Sequence, residues 1–124
     1  MAPIFKLEKI GVVLLGVKSM EASLPFYRDK LGMTVQGANE EFAFLAGGGV
    51  TLALAVPLSK NSPAMVGATE VVFSVSGVRE AYVALREQGV TFLNEPRVVN
   101  PPMWACNFTD PDGHRLSIYG PEKL

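Results

Sequence analysis

Two stretches of the chain can be laid on each other with one residue dropped. GVKSMEASLPFYRDKLGMTV, residues 16–35, matches SVSGVREAYVALREQGVTF, residues 74–92. Val17 falls on Val75, Met20 on Val78, Tyr27 on Leu85 and Gly32 on Gly89. Further on, GGVTLAL falls on DGHRLSI, with Gly49 on Gly113, Leu52 on Leu116 and Ala53 on Ser117. A chain whose halves share one pattern must bury two similar units, and this constrains the fold more tightly than composition does.

Each unit reads as strand, helix and three further strands. In the first, IGVVLLGV at 10–17 is a short, β-branched apolar run and predicts a strand. Ser19 is placed to cap a helix from Met20 to Lys30, with Leu24, Tyr27 and Leu31 as its buried stripe and Gly32 as its stop. Pro25 removes a backbone donor from that helix and predicts a kink. Short strands are expected near 33–37, 41–46 and 50–56. In the second unit a strand is expected at 70–75, then a helix with Val78, Ala81, Tyr82 and Leu85 on its stripe and Gly89 as its end. Strands follow near 90–93, 103–109 and 114–119, the last two joined at Asp112-Gly113. The fold class expected is α+β, with module one at about 8–56, a linker at 57–68 and module two at about 69–120.

Side chains alternate across a strand, and one helix per unit covers one face of its sheet. The more apolar set belongs under the helix: Val13, Leu15, Val17 and Val71, Phe73, Val75, with Leu52, Leu54, Leu116 and Ile118. The opposite, inner face then carries Val12, Leu14, Gly16, Thr51, Ala53 and Ala55 in one unit. In the other it carries Glu70, Val72, Ser74, Arg115, Ser117 and Tyr119. Curved sheets with these inner faces turned toward one another would enclose a cavity.

Several residues on that face have two readings each. Glu70 is either a proton acceptor in an apolar cavity, its pKa raised by desolvation, or a rim charge paired with Arg115 or water. Arg115 is either a clamp for an anionic group or a solvated edge charge. Tyr119 supplies a cavity hydroxyl or fills space. Trp104, Phe44, Phe42 and Met103 are ligand contacts, interface anchors or core residues. Cys106 is expected to be a small buried hydrophobe, since no base stands near it in the pattern. The glycines at 47–49 are a turn and not a phosphate cradle, for no helix and lysine follow.

Composition excludes several classes. The net charge is −1 with acids and bases interspersed, so neither nucleic acid nor an acidic arm is indicated. The longest apolar run, Ile10 to Val17, is too short to span a bilayer. A single cysteine rules out an internal disulfide framework and a cysteine-based zinc cluster. With no secretion signal at the start, a cytoplasmic protein of 124 residues is the expectation.

The segments SMEASLPFYRDKLGM, TEVVFSVSGVREAYVALREQGV and FTDPDGHRLSIYGPE resemble the vicinal oxygen chelate superfamily of glyoxalases, bleomycin-resistance proteins and extradiol dioxygenases. The resemblance implies two βαβββ modules forming a cupped mixed sheet around a cavity, and a homodimer. It also implies that the metal-ligand positions are Val12, Ala53, Glu70 and Ser117. Metal-dependent members place His, Glu or Gln there, and here only Glu70 remains. The single histidine, His114, lies in the turn and points to the helix side. A divalent ion needs about three protein ligands, so no cofactor is expected. The function expected is binding of a small-molecule ligand, similar to bleomycin-resistance proteins, with Phe44, Trp104, Arg115, Ser117 and Tyr119 as contacts. The alternative is a metal-dependent glyoxalase-like lyase or isomerase, or a dioxygenase, with Glu70 as its catalytic group.

Overall fold

Each half of the chain builds a mixed sheet in which the first strand runs parallel to the fourth, and both halves do so in matching register. A computed structural model describes residues 7, 9–61 and 69–123. The first sheet contains β1 (Val12–Gly16), β2 (Val35–Ala38), β3 (Phe42–Ala46) and β4 (Thr51–Ala55); the second contains β5 (Glu70–Ser74), β6 (Arg97–Asn100), β7 (Met103–Thr109) and β8 (Arg115–Pro121). The strand orders are β1-β4-β3-β2 and β5-β8-β7-β6. Val12 stands opposite Thr51 and Leu14 opposite Ala53, as Glu70 stands opposite Arg115 and Val72 opposite Ser117. The pairs read from the repeat therefore occupy equivalent places, and the expected α+β, two-module architecture is the one observed.

The helices form where the caps and stripes put them. Ser19 is extended, and its Oγ accepts from the Ala22 N–H at the start of α1 (Met20–Pro25). Pro25 has no N–H to offer the carbonyl four residues back. Beyond it the chain continues as a π-helical turn, Phe26–Lys30, closed by the Leu31 N–H donating to the Phe26 carbonyl at 3.0 Å. The disturbance read at Pro25 is thus a change of helical register. Gly32 and Gly89 follow the two helices with φ of +75° and +87°, the left-handed cap that glycine adopts without strain.

Two expectations are corrected. The strand near 90–93 is a single bridge, Phe92 to Phe108, and the fourth partner in that sheet is β6. Around that bridge the Leu93 N–H donates to the Asn107 carbonyl and the Thr109 N–H to the Thr91 carbonyl, and beyond it Asn94 bonds to β7 through its side chain. The linker at 57–68 begins with a helix, α2 (Val56–Asn61), directly after β4; residues 62–68 lie outside those described. Helix α2 packs on β1, and a Cβ on Gly16 would stand 3.1 Å from the Ser59 nitrogen. Glycine at 16 is what admits that close approach.

One core joins the halves. Leu15, Val17, Leu45, Leu52 and Leu54 from module one pack in the same buried cluster as Val78, Phe108, Leu116 and Ile118 from module two. Each fully buried side chain of this size contributes about 1.5–3 kcal/mol. The turn between β7 and β8 is stapled to the first helix by polar bonds. The Tyr27 hydroxyl donates to Asp110 Oδ2 at 2.7 Å, and the Asp112 and His114 N–H groups donate to Asp110 Oδ1. Asp112 accepts from the Lys18 N–H and the Ser23 hydroxyl. His114 Nε2 lies 2.6 Å from the Gly16 carbonyl, which only accepts, so Nε2 carries the proton.

Burial, followed by the neighbouring Asp110 carboxylate, pushes the Tyr27 phenol far above its ordinary value of 10.0. In a folded protein that holds this phenol neutral, stability is fully present below pH 10 and lost above it, by up to about 1.4 kcal/mol per pH unit. Tyr27→Phe is expected to lower unfolding free energy by about 1–3 kcal/mol at neutral pH, because Asp110 is left short of a donor. It should also remove one proton's worth of the decline above pH 10. Urea unfolding at pH 8, 10 and 11 measures both effects.

Candidate functional site

The inner face of the second sheet carries a chain of polar side chains that starts on β6 and ends on β8. Asn107, on β7, is its hub and is only 3% exposed. Its backbone N–H donates to Asn94 Oδ1, and its side-chain carbonyl accepts from Asn94 Nδ2 at 3.0 Å and from Arg97 Nη2 at 3.1 Å. Its amide nitrogen donates to Glu70 Oε1 at 2.9 Å. Arg115 Nε donates to Glu70 Oε2 at 3.1 Å. Both carboxylate oxygens of Glu70 are therefore engaged, one by a neutral amide and one by a guanidinium.

This arrangement places the residues singled out from sequence. Glu70 and Arg115 stand opposite each other and form an ion pair with their side chains about one-third exposed. Glu70 is thus the paired rim charge of its second reading and not a carboxylate alone in an apolar pocket. Ser117 lies on the same face but is 2% exposed, a floor residue between Val72 and Asn107. Tyr119, half-buried, is next along β8 on that face. Trp104 does not join them. It projects to the helix side, packs against the core, and has the Arg79 guanidinium 5.2 Å above its ring. Cys106 is also on the helix side, its thiol pushed up to about 11 by burial, with Arg97 acting weakly in the other direction.

The first sheet's inner face is mostly apolar, with the Thr51 hydroxyl, which donates to Gln36 Oε1 at 3.5 Å, at one end. Val12, Leu14 and Phe44 are 50%, 47% and 39% exposed, and Phe44 stacks on Phe42 with ring centres 6.2 Å apart. Ala53 is the floor between Leu14 and Phe44. A cavity of about 700 Å³ lies between β5 and the β3–β4 turn of module one. Glu70, Val72 and Ser74 line it on one side and Met33, Thr34 and Gly47 on the other. Glu70 therefore stands where this cleft meets the polar network.

The donor set at the four symmetry-matched positions does not fit a metal ion. Val12 and Ala53 have no donor atom, Ser117 offers a covered neutral hydroxyl, and Glu70 faces a cation. His114 is committed to the Gly16 carbonyl.

Arg97, Asn94 and Asn107 were not among the residues read from sequence as site candidates. Nothing in a strand-sized window sets them apart, and only Asn107's place between apolar Cys106 and Phe108 marks it as a polar residue inside a buried strand. Arg115→Ala is expected to change stability by less than about 1 kcal/mol, since it removes only a part-exposed ion pair. Asn107→Ala should cost about 1–3 kcal/mol, because it strips partners from several polar groups at once. Thermal unfolding of the two variants side by side checks the contrast. Cys106 should resist thiol reagents at pH 8 until the chain unfolds.

A family model described as the Glyoxalase/Bleomycin resistance protein/Dioxygenase superfamily matches residues 9–118. Among solved structures, a glyoxalase/bleomycin resistance protein/dioxygenase from Nocardioides is similar at 25% identity, with a TM-score of 0.78, over 95% of this chain and 86% of that one. A glyoxalase-related enzyme from Fulvimarina pelagi is similar at 24% identity and a TM-score of 0.77, over 92% and 88%. A lactoylglutathione lyase from Agrobacterium tumefaciens shares the fold at 18% identity and a TM-score of 0.74, over 92% and 94%. No curated protein matches the chain.

Proposed function

The chain belongs to the Glyoxalase/Bleomycin resistance protein/Dioxygenase superfamily, and we propose that it is a small-molecule-binding member that works without a resident metal ion. The observation that carries this reading is the state of Glu70. At the corner where the family resemblance puts metal ligands, the one remaining carboxylate is neutralised by Arg115 and tied to Asn107. A carboxylate held this way orients polar groups and is poorly disposed to take a proton from a substrate.

The ligand of this reading is amphipathic. Val12, Leu14 and Phe44 supply an apolar wall, and Arg115 and Tyr119 a polar one. Val12, Leu14, Phe44 and Val72 are 39–53% exposed in the single chain, an arrangement suited to closure by a second copy. In the proposed homodimer these open faces become cavity walls. The competing reading, a lyase or dioxygenase using Glu70, requires donors from other positions.

Native mass spectrometry of the purified full chain, with elemental analysis, tests the proposal. The expected result is a dimer mass and no stoichiometric metal. About one equivalent of nickel, zinc, iron or manganese per chain, lost in Glu70→Ala, would overturn it in favour of the enzyme.

A further inference from the structure

On the inner face of the second sheet, three rows of side chains run across the strands. The outer rows carry the arginines: Arg97 with Ala105, Tyr119 and Ser74 in one, and Arg115 with Thr109 and Glu70 in the other. Between them lies the row of Asn107, Ser117 and Val72. Ala105, Ser117 and Asn107 are buried and short, so the middle of this face is low. The two arginines, Tyr119 and the exposed Val72 stand around it.

The hydrogen-bond inventory of this trough is lopsided. Each Glu70 oxygen already accepts a bond, and the Asn107 side-chain carbonyl accepts two. Among the described residues, Arg115 has both Nη groups without an acceptor, and Arg97 uses only Nη2 and forms no ion pair. What faces outward is a surplus of N–H donors, with two guanidiniums set against one carboxylate.

Stability alone gives little reason for such an arrangement. Half-exposed ion pairs contribute little, and a restrained arginine gives up much rotamer freedom. Here a buried asparagine spends both acceptor sites of its side-chain carbonyl and one amide N–H to hold Arg97 directly and Arg115 through Glu70. Donors fixed in advance lower the ordering cost of binding an acceptor. The planar fork of a guanidinium matches the two oxygens of a carboxylate.

We infer that this trough binds the carboxylate of an amphipathic organic acid, with Arg97 and Arg115 as its donors and Asn107 as the residue that positions them. The inference rests on the binding function proposed above and names its ligand class. Val72 and Tyr119 offer the first contacts for the acid's apolar body.

Isothermal titration of the full chain with octanoate, 1-octanol, octylammonium and octyl phosphate, below micelle formation, separates the head group from the tail. Octanoate is expected to bind at least tenfold more tightly than the other three. Arg97→Gln and Arg115→Gln should each weaken octanoate about tenfold and leave octanol unchanged, while Arg86→Gln, on α3 (Val78–Glu87), should alter neither. Equal binding of all four probes would overturn the carboxylate assignment and leave the binding function standing. Tighter binding of octyl phosphate would transfer the head group to phosphate and overturn it too. No binding by any probe would overturn both.

Discussion

The fold depends on one turn. Residues 110–114, between the last two strands, dock on the first helix and first strand of the opposite module. Asp110 is 5% exposed and ionisable, and three donors meet its two oxygens, one of them the phenol of Tyr27 from the other half of the sequence. Asp112 and His114 add bonds to the Lys18 and Ser23 region and to the Gly16 carbonyl. An apolar core attracts without direction. These bonds are directional, and they set how one module sits on the other. Buried polar groups of this kind are costly if any partner is missing, so the docking tolerates little variation.

That docking has consequences for the site. The modules meet through their helix-side faces in one shared core, which leaves the inner faces open in the single chain. The two open faces differ in character. The first is lined by Val12, Leu14, Phe42 and Phe44, and the second by Glu70, Arg97, Arg115 and Tyr119. A twofold repeat in backbone has become a polar and apolar division in side chains. The symmetry-matched positions show the same divergence: Val12 answers to Glu70, and Ala53 to Ser117.

A metal-binding corner and an arginine–carboxylate network use the same geometric advantage, side chains converging from adjacent strands. They differ in charge. A divalent ion needs several acceptors and no nearby cation, whereas here Arg115 sits against Glu70, the one carboxylate among the four matched positions. The network fills the corner with donors, which under the proposed binding function suits it to an acceptor group.

Much of this was legible in the sequence. The repeat, the strand–helix–strand order, Ser19 as cap, Gly32 and Gly89 as stops, and the sorting of residues to helix side or inner face all follow from local rules of spacing and conformation. The reading of Val12, Ala53 and Ser117 as family ligand positions filled by residues that bind metal poorly or not at all needed only the repeat and the family resemblance. Other features were hidden because they join residues far apart in the chain. Asp110 meeting Tyr27, Asn107 meeting Glu70, and Arg97 meeting Asn107 are pairings of a side chain with a distant partner, and no periodicity encodes them. Trp104 illustrates the limit: the register of β7 against β8, and nothing in its neighbours, turns it away from the inner face. The sequence by itself determined the modules and the face of most strand residues outside β7, because backbone sterics and hydrophobic alternation act over a few residues. Only the tertiary structure decided which polar groups meet, because hydrogen bonds are short and directional and form only after the distant strands are in register.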